Sequence, residues 1–216
     1  MSKNVFSNKE IFRFGWEKTK EFLVFFFGVF IIISAVNFFI SFFENMLNKT
    51  NESLFLLNVL SCFFDLVVGL GLIKTALDIC DDKLPTFAAL FSNFDIFLNY
   101  AVGFILFSLL VTFGILLFVF PGIIWFLKFQ FFGHFVMDKR LGPIEALKES
   151  SRITGGLKLR LLGFALLLSF INILGALLLG IGLIASIPTT IIAHAALYRK
   201  LAYGSIKTGD ARAINS

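Results

Sequence analysis

Charge is scarce in this sequence. Asp, Glu, Lys and Arg make up 15% of 216 residues, while hydrophobic residues make up 58%. An ordinary soluble domain has about 25% charged and roughly 45–50% apolar residues. The apolar excess lies in long unbroken runs, which excludes a large soluble core and marks an integral membrane protein. Cysteine is almost absent. Cys62 and Cys80 fall on one predicted helix, separated by roughly 27 Å at 1.5 Å per residue, so they form no disulfide within a chain. Their spacing fits neither a zinc nor a redox motif. The only two histidines, His134 and His194, come without a Cys or carboxylate cluster and make a poor metal site. The sequence has no Gly-rich phosphate loop and no plausible Ser-His-Asp frame. No catalytic, cofactor-binding or metal-binding residue is therefore expected, and the chain reads as non-enzymatic.

Proline is also rare, and each of the four residues reads as punctuation: Pro85, Pro121, Pro143 and Pro188. Pro85 with Asp81-Asp82-Lys83 breaks the connector 78–95. Pro121-Gly122 reads as a hairpin turn. Pro143 opens an amphipathic helix that Gly155-Gly156 stops. Pro188 precedes the final segment. The net charge of +5 comes from 19 Lys and Arg against 14 Asp and Glu. The cations flank apolar runs, so they are read as topology signals and contacts for anionic headgroups rather than for nucleic acid.

What the sequence has in abundance is phenylalanine, with 31 residues, and apolar runs of membrane length. A hydrocarbon core of about 30 Å needs about 20 helical residues. Runs at 23–43, 54–77, 97–120, 123–137 and 161–185, with a segment after Pro188 reaching Leu201, predict about six transmembrane helices in an all-α polytopic bundle. With the N-terminus inside, this count leaves only Lys49 as a basic residue in an outer loop, as the positive-inside rule requires. The expected location is a bacterial cytoplasmic membrane with both termini in the cytoplasm. No signal peptide is evident, because the first apolar run is too long and lacks a small-residue cleavage site.

An internal repeat fits the same frame. FGHFVMDKRL (132–141) aligns without gaps on IAHAALYRKL (192–201), and TALDICDDKL (75–84) aligns more loosely. The stretches 11–21, 86–96 and 143–153 also align as amphipathic lead-in helices. One membrane domain over 1–216 can thus be divided into units 5–84, 85–141 and 142–204, each a lead-in helix and a hairpin, with a polar tail at 205–216. The competing explanation is that any two basic-ended apolar helices align this well.

The second half carries PGI (121–123), EALKESSRITGGLK (145–158), LSFINILGALLLGIG (168–182) and Pro188 followed by AALYRKL (195–201). In these elements the chain resembles an uncharacterised family of bacterial polytopic membrane proteins. It is also similar to the membrane domain fused to some glycerophosphodiester phosphodiesterases. The resemblance implies an inner-membrane helical protein and no catalytic residue. Six spans in 216 residues leave no room for a phosphodiesterase domain.

Candidate functional residues are few. Asp65 falls near the centre of its span, where a carboxylate costs about 2.5–3.5 kcal/mol on insertion scales. Lys128 lies at similar depth, and the two form a possible intramembrane pair; otherwise Asp65 is protonated and Lys128 snorkels. Asn58, Cys62, Asp65 and Gly69 share one helix face, read as a packing seam or a polar path. His134 and His194 are expected near the cytoplasmic interface. Ala176 and Gly180, with Gly175 and Gly182, signal close helix approach. Lys148, Arg152, Lys158 and Arg160 are candidate lipid-headgroup contacts. Two function classes follow. The first is a protein that organises or binds membrane lipids, or a membrane protein partner, in the envelope. The alternative is a small transporter or channel-like protein using Asp65 and Lys128. The oligomeric state is left open.

Overall fold

The computed structural model describes residues 6–46, 51–178, 180 and 182–204. Lys49 and the tail 205–216 lie outside the described residues. The described residues form ten helices: α1 (Asn8–Glu21), α2 (Leu23–Met46), α3 (Asn51–Cys80), α4 (Phe87–Phe91), α5 (Phe94–Leu117), α6 (Val119–Phe129), α7 (Phe132–Lys139), α8 (Pro143–Ile153), α9 (Lys158–Leu177) and α10 (Leu183–Tyr203). Among the described residues, five segments are long and apolar enough to cross a membrane: Leu23–Glu44, Phe55–Cys80, Phe94–Leu117, Val119–Lys139 and Lys158–Leu177. The protein is an all-α, multi-pass membrane protein.

The sixth apolar segment takes a different form from the one expected. α10 begins at Leu183 and carries Pro188 in its interior. A proline there removes one backbone N–H from the helical ladder. The hydroxyls beside it bind nearby carbonyls: Thr189 donates to Ala185 O at 2.7 Å and Thr190 to Ser186 O at 2.9 Å. α10 also lies at the centre of the bundle, with Ile192, Ala193, Ala195, Ala196, Leu197 and Tyr198 all 0% exposed. A helix enclosed by protein need not be apolar on every side, which is why it falls short of the composition of a lipid-facing span. By contrast, α2 presents Val24, Phe27, Ile31, Phe38 and Phe39 outward and buries Phe26, Val29 and Ile40.

The hairpin reversals also shift. Pro121-Gly122 lies in the first turn of α6, and the chain reverses at Phe118, whose backbone is extended (φ −162°, ψ 146°). A proline fits a first helical turn because its missing N–H would have no helical acceptor there. The fourth span is split at Gln130-Phe131 into α6 and α7. The fifth ends at Leu177 rather than running on to 185. Gly175 meets Gly182 across that turn, where a Cβ on Gly175 would sit 3.1 Å from the Gly182 carbonyl. The small residues singled out in the sequence thus let α9 and α10 meet.

α5 packs along α6 and α7 through Gly114 against Gly122 and a ladder of rings: Phe107–Phe126, Phe107–Phe132 and Tyr100–Phe132, with centroids 6.0, 5.3 and 5.7 Å apart. Lipid tails are as apolar as these side chains, so close packing rather than dehydration holds the helices together.

The lead-in helices α1, α4 and α8 are each seated on a neighbouring helix. On α1, Gly15 abuts Thr189 of α10, and the Thr189 and Thr19 hydroxyl oxygens lie 3.0 Å apart. On α4, Leu90 presses its backbone against Gly71 of α3. On α8, Ser150 and Thr154 donate to the Lys128 carbonyl at 3.0 and 3.1 Å, and Ser150 accepts from Phe131 N at 3.1 Å. α8 thereby braces the α6–α7 break.

Candidate functional site: a polar row on the central helix

Ser186, Thr190, His194 and Tyr198 recur every four residues along α10. That spacing stacks them into one row along the helix. Neighbouring helices supply a polar group to three of its four positions. Asn172 of α9 donates to Thr190 Oγ1 at 3.0 Å. His194 Nε2 lies 3.0 Å from Gln130 Oε1, and the Gln130 amide nitrogen donates to Leu127 O at 2.9 Å. With its NH2 so engaged, Gln130 presents an acceptor, so His194 carries its hydrogen on Nε2 and a lone pair on Nδ1 when neutral. Tyr198 donates to Asp138 Oδ2 at 2.7 Å.

The two histidines lie side by side, with ring centroids 5.1 Å apart. His134 also contacts the Tyr198 ring at 5.2 Å, and Phe131 covers His194 at 4.7 Å. His134 is 6% exposed. Both rings therefore pack against protein, His134 buried and His194 partly buried, within about one turn of Asp138 and Arg199. The register that aligned them in sequence brings them together because α7 and α10 run side by side.

At the Tyr198 end the row meets an ionic knot. Arg199 donates to Asp138 Oδ1 at 2.7 Å and to Asp81 Oδ2 at 2.6 Å, and Tyr203 donates to Asp138. Asp81 and Asp138 occupy matching positions in the aligned decapeptides, and Tyr198 takes the third. More ion pairs surround the knot: Lys200 with Glu10 at 3.0 Å, Lys18 with Asp82 at 3.6 Å, and Arg140 with Asp95. Burial and the hydrogen bond to Asp138 raise the Tyr203 phenol above its ordinary value.

Several buried polar atoms have no partner among the described residues. Ser186 Oγ, Asn172 Oδ1 and His134 Nδ1 border the row, and Arg199 Nε lies in the knot. An unsatisfied buried group costs about 1–3 kcal/mol. Three such atoms along one row are a concentration that needs a cause. The same described residues contain no group of three or more His, Cys, Asp or Glu able to hold a metal.

The sequence candidates lie elsewhere. Asp65 is exposed on α3, whose buried face is Val67, Val68 and Leu70. Lys128 is half-buried at the end of α6 with its ammonium 5.2 Å from the Phe129 ring. Among the described residues no ion pair joins Asp65 to Lys128, and the Asp65 side chain is exposed on α3. Asn58 and Cys62 are exposed as well, and Gly69 packs against the Tyr100 hydroxyl. Lys148, Arg152, Lys158 and Arg160 are all exposed around the α8–α9 junction. Arg152 pairs with Glu149 at 2.6 Å. Beside them Ile144 and Leu159 are also exposed, while Leu147 packs inward.

The four-residue recurrence of Ser186, Thr190, His194 and Tyr198 was the missed signal. It is readable in sequence, but Pro188 placed the start of the helix after Ser186 and hid the first member.

Residues 83–202, more than half of the chain, match the model of a domain of unknown function (DUF7847). The chain belongs to this family. The DUF7847 region contains Lys128, Gln130, His134, Asp138, His194, Tyr198 and Arg199, while Asp65 and Asp81 precede it. The chain is 32% identical over 138 residues to the uncharacterized protein Rv2560 of Mycobacterium tuberculosis strain H37Rv, covering 63% of this chain and 42% of that protein. It is 30% identical over 137 residues to the uncharacterized protein Mb2590 of Mycobacterium bovis, with the same shares. The chain thus spans less than half the length of the curated relatives it matches. No solved structure matches it.

Proposed function

We propose that this DUF7847 protein is a small, non-enzymatic transporter or channel-like protein that gives a polar species a route through the bundle along α10. The observation that carries the reading is the row Ser186–Thr190–His194–Tyr198 on the central helix of a membrane protein, buried at Ser186 and Tyr198, partly buried between them, and bordered by unsatisfied polar atoms. Ionisable and polar groups within a membrane are costly, and they mark pathways and relays more often than packing. This reading moves the path away from Asp65 and Lys128, which do not meet. We place the ionic knot at the cytoplasmic face, in a bacterial cytoplasmic membrane with both termini inside. We also infer three units, each a lead-in helix and a hairpin. That division is supported by the seating of α1, α4 and α8 and by the meeting of Asp81, Asp138 and Tyr198. The test is flux in proteoliposomes across a panel of ions and small polar solutes. Permeation above empty vesicles, reduced by substitutions in the row, supports the reading; rates equal to empty vesicles for the whole panel reject it.

A second reading rests on the exposed cations Lys148, Arg152, Lys158 and Arg160 beside exposed Leu159. Basic residues near an anionic surface contribute about 1 kcal/mol each. In this reading the protein holds anionic lipids at the α8–α9 junction. Mass spectrometry of retained lipids tests it: enrichment of one anionic lipid, lost when Lys148, Arg152 and Lys158 are neutralised, is expected. We infer no phosphodiester chemistry from the resemblance to phosphodiesterase membrane domains.

A further inference from the structure

We infer that the species carried along α10 is the proton, relayed through Ser186, Thr190, His194 and His134 to Asp138. The inference rests on the transport reading above and names its substrate.

Three observations favour a proton over a larger solute. The first is space. Pockets for small molecules usually measure about 300–1,000 Å3. A cleft of about 460 Å3 does exist, but it lies between α2, α3 and α5 and is lined by apolar side chains such as Val36, Phe39, Phe43, Leu57 and Phe63. At its His194–Tyr198 end the row on α10 is packed by Phe131 and Phe135, both 0% exposed, which leaves no room there for a solute of that size. The second is chemistry. Hydroxyl, imidazole and carboxylate groups follow one another, and each can take up a proton on one atom and release one from the same or another. The third is the set of orphaned atoms. Ser186 Oγ and His134 Nδ1 are buried and unpartnered among the described residues. A water molecule bonded to such atoms would complete a hydrogen-bonded chain, since buried waters usually make about three bonds to otherwise unsatisfied groups.

Each transfer is balanced: one O–H or N–H bond forms as another breaks, and no oxidant or reductant is needed. His194 receives a proton on Nδ1 while its Nε2–H is held by Gln130. The ring then returns to neutrality by passing a proton on through water to His134. Asp138 is the terminal acceptor and is faced by Arg199, Tyr198 and Tyr203, with Asp81 on the far side of the guanidinium. A proton arriving on Asp138 weakens its hold on Arg199; Asp138 then releases that proton to water on the aqueous side and the carboxylate pairs with Arg199 again. Gln130 is a positioning residue that fixes the histidine tautomer.

The experiment uses the full chain in proteoliposomes loaded with a pH-sensitive dye. A potassium gradient with valinomycin drives proton entry, and parallel vesicles report potassium, chloride, urea and glycerol permeation. Wild type is expected to acidify faster than empty vesicles while passing none of the other species. His194→Gln, which can hydrogen-bond but not titrate, and Thr190→Val, which keeps the shape but loses the hydroxyl, should both return to the rate of empty vesicles. Both variants are scored only as monodisperse, helical protein, and the milder Thr190→Val provides the test if His194→Gln does not fold. Proton flux that is unchanged in the variants overturns the inference. Passage of a polar solute without protons overturns it and leaves the transport reading standing. No flux of any kind rejects both.

Discussion

Tyr198 donates its hydroxyl hydrogen to Asp138 at 2.7 Å, joining the last turns of α10 and α7 across sixty residues of sequence. Asp138 needs that donor because it is largely shielded from water and shares Arg199 with Asp81. Removing Arg199 leaves two carboxylates without their common cation. Breaking a buried pair by deleting one partner costs about 3–5 kcal/mol. Arg199→Met should lower the thermal midpoint in detergent sharply. Arg199→Lys should recover only part of it, since an ammonium lacks the planar fork that reaches two carboxylates at once. Equal stability of wild type and Arg199→Met would show that the knot contributes nothing to the fold.

Two glycine substitutions should act in opposite directions. A Cβ on Gly122 would sit 2.8 Å from Ile115 N, where α6 meets α5. Backbone cannot move aside cheaply, and overpacking costs about 1–3 kcal/mol. Gly163 in α9 has nothing within 4 Å of its Cβ position. Alanine there gains about 0.5–1 kcal/mol over glycine in a helix interior. Thermal unfolding of Gly122→Ala and Gly163→Ala should therefore shift down and up, respectively.

Much of the membrane architecture was legible because the apolar runs are long and their flanks basic. Runs 23–43 and 54–77 became α2 and α3 with modest changes at the ends. Two of the differences share one cause. Pro121 and Pro188 were both read as breaks between helices, yet one lies in a first turn and the other inside α10. A proline inside a helix forfeits one hydrogen bond to the carbonyl four residues back, and its local sequence does not show that the burial of α10 among its neighbours outweighs that loss. The polar row was hidden by that error. Asp65 drew attention because its depth could be counted along the helix, but depth does not give the direction a side chain faces, and Asp65 faces outward. Gln130 gave no signal, since its role depends on the α6–α7 break, which α8 braces from a distant part of the chain.

That bracing is itself testable. Ser150 is 0% exposed and serves two backbone groups at once, the Phe131 N–H and the Lys128 carbonyl. Ser150→Ala leaves the Phe131 N–H without this acceptor, at a cost of about 1–3 kcal/mol. Thr154 still donates to Lys128 O, so the loss should be smaller than for Ser150→Ala with Thr154→Val. Hydrogen exchange should rise locally at 129–132 in the single variant and spread into α7 in the double one.

Tyr203 offers a reading of the Asp138 charge. Its phenol lies above the ordinary tyrosine value because of burial and its hydrogen bond to Asp138. A raised folded-state value favours the protonated phenol. Its stabilising effect is complete below the ordinary pKa of about 10 and fades as pH rises through the raised value. The difference in alkaline absorbance titration between wild type and Tyr203→Phe isolates this one group. Its midpoint should exceed that of a free tyrosine, and in an Asp138→Asn background it should fall toward the ordinary value. An unchanged midpoint in that background would mean that burial alone holds the phenol.

The separation of Asp65 from Lys128 predicts independence. Residues without shared partners usually give additive changes within about 0.3–0.5 kcal/mol. Asp65→Asn and Lys128→Met should therefore combine additively in thermal unfolding, and the charge-swapped pair should recover nothing lost in the single variants. Asp65→Asn alone removes a carboxylate that costs about 2.5–3.5 kcal/mol on insertion scales at the centre of a helix, so its yield in the membrane should match or exceed that of wild type. A fall in yield would indicate that the exposed face of α3 around Asp65 meets a charged partner in the membrane, because only a cation opposite it would make the carboxylate worth keeping.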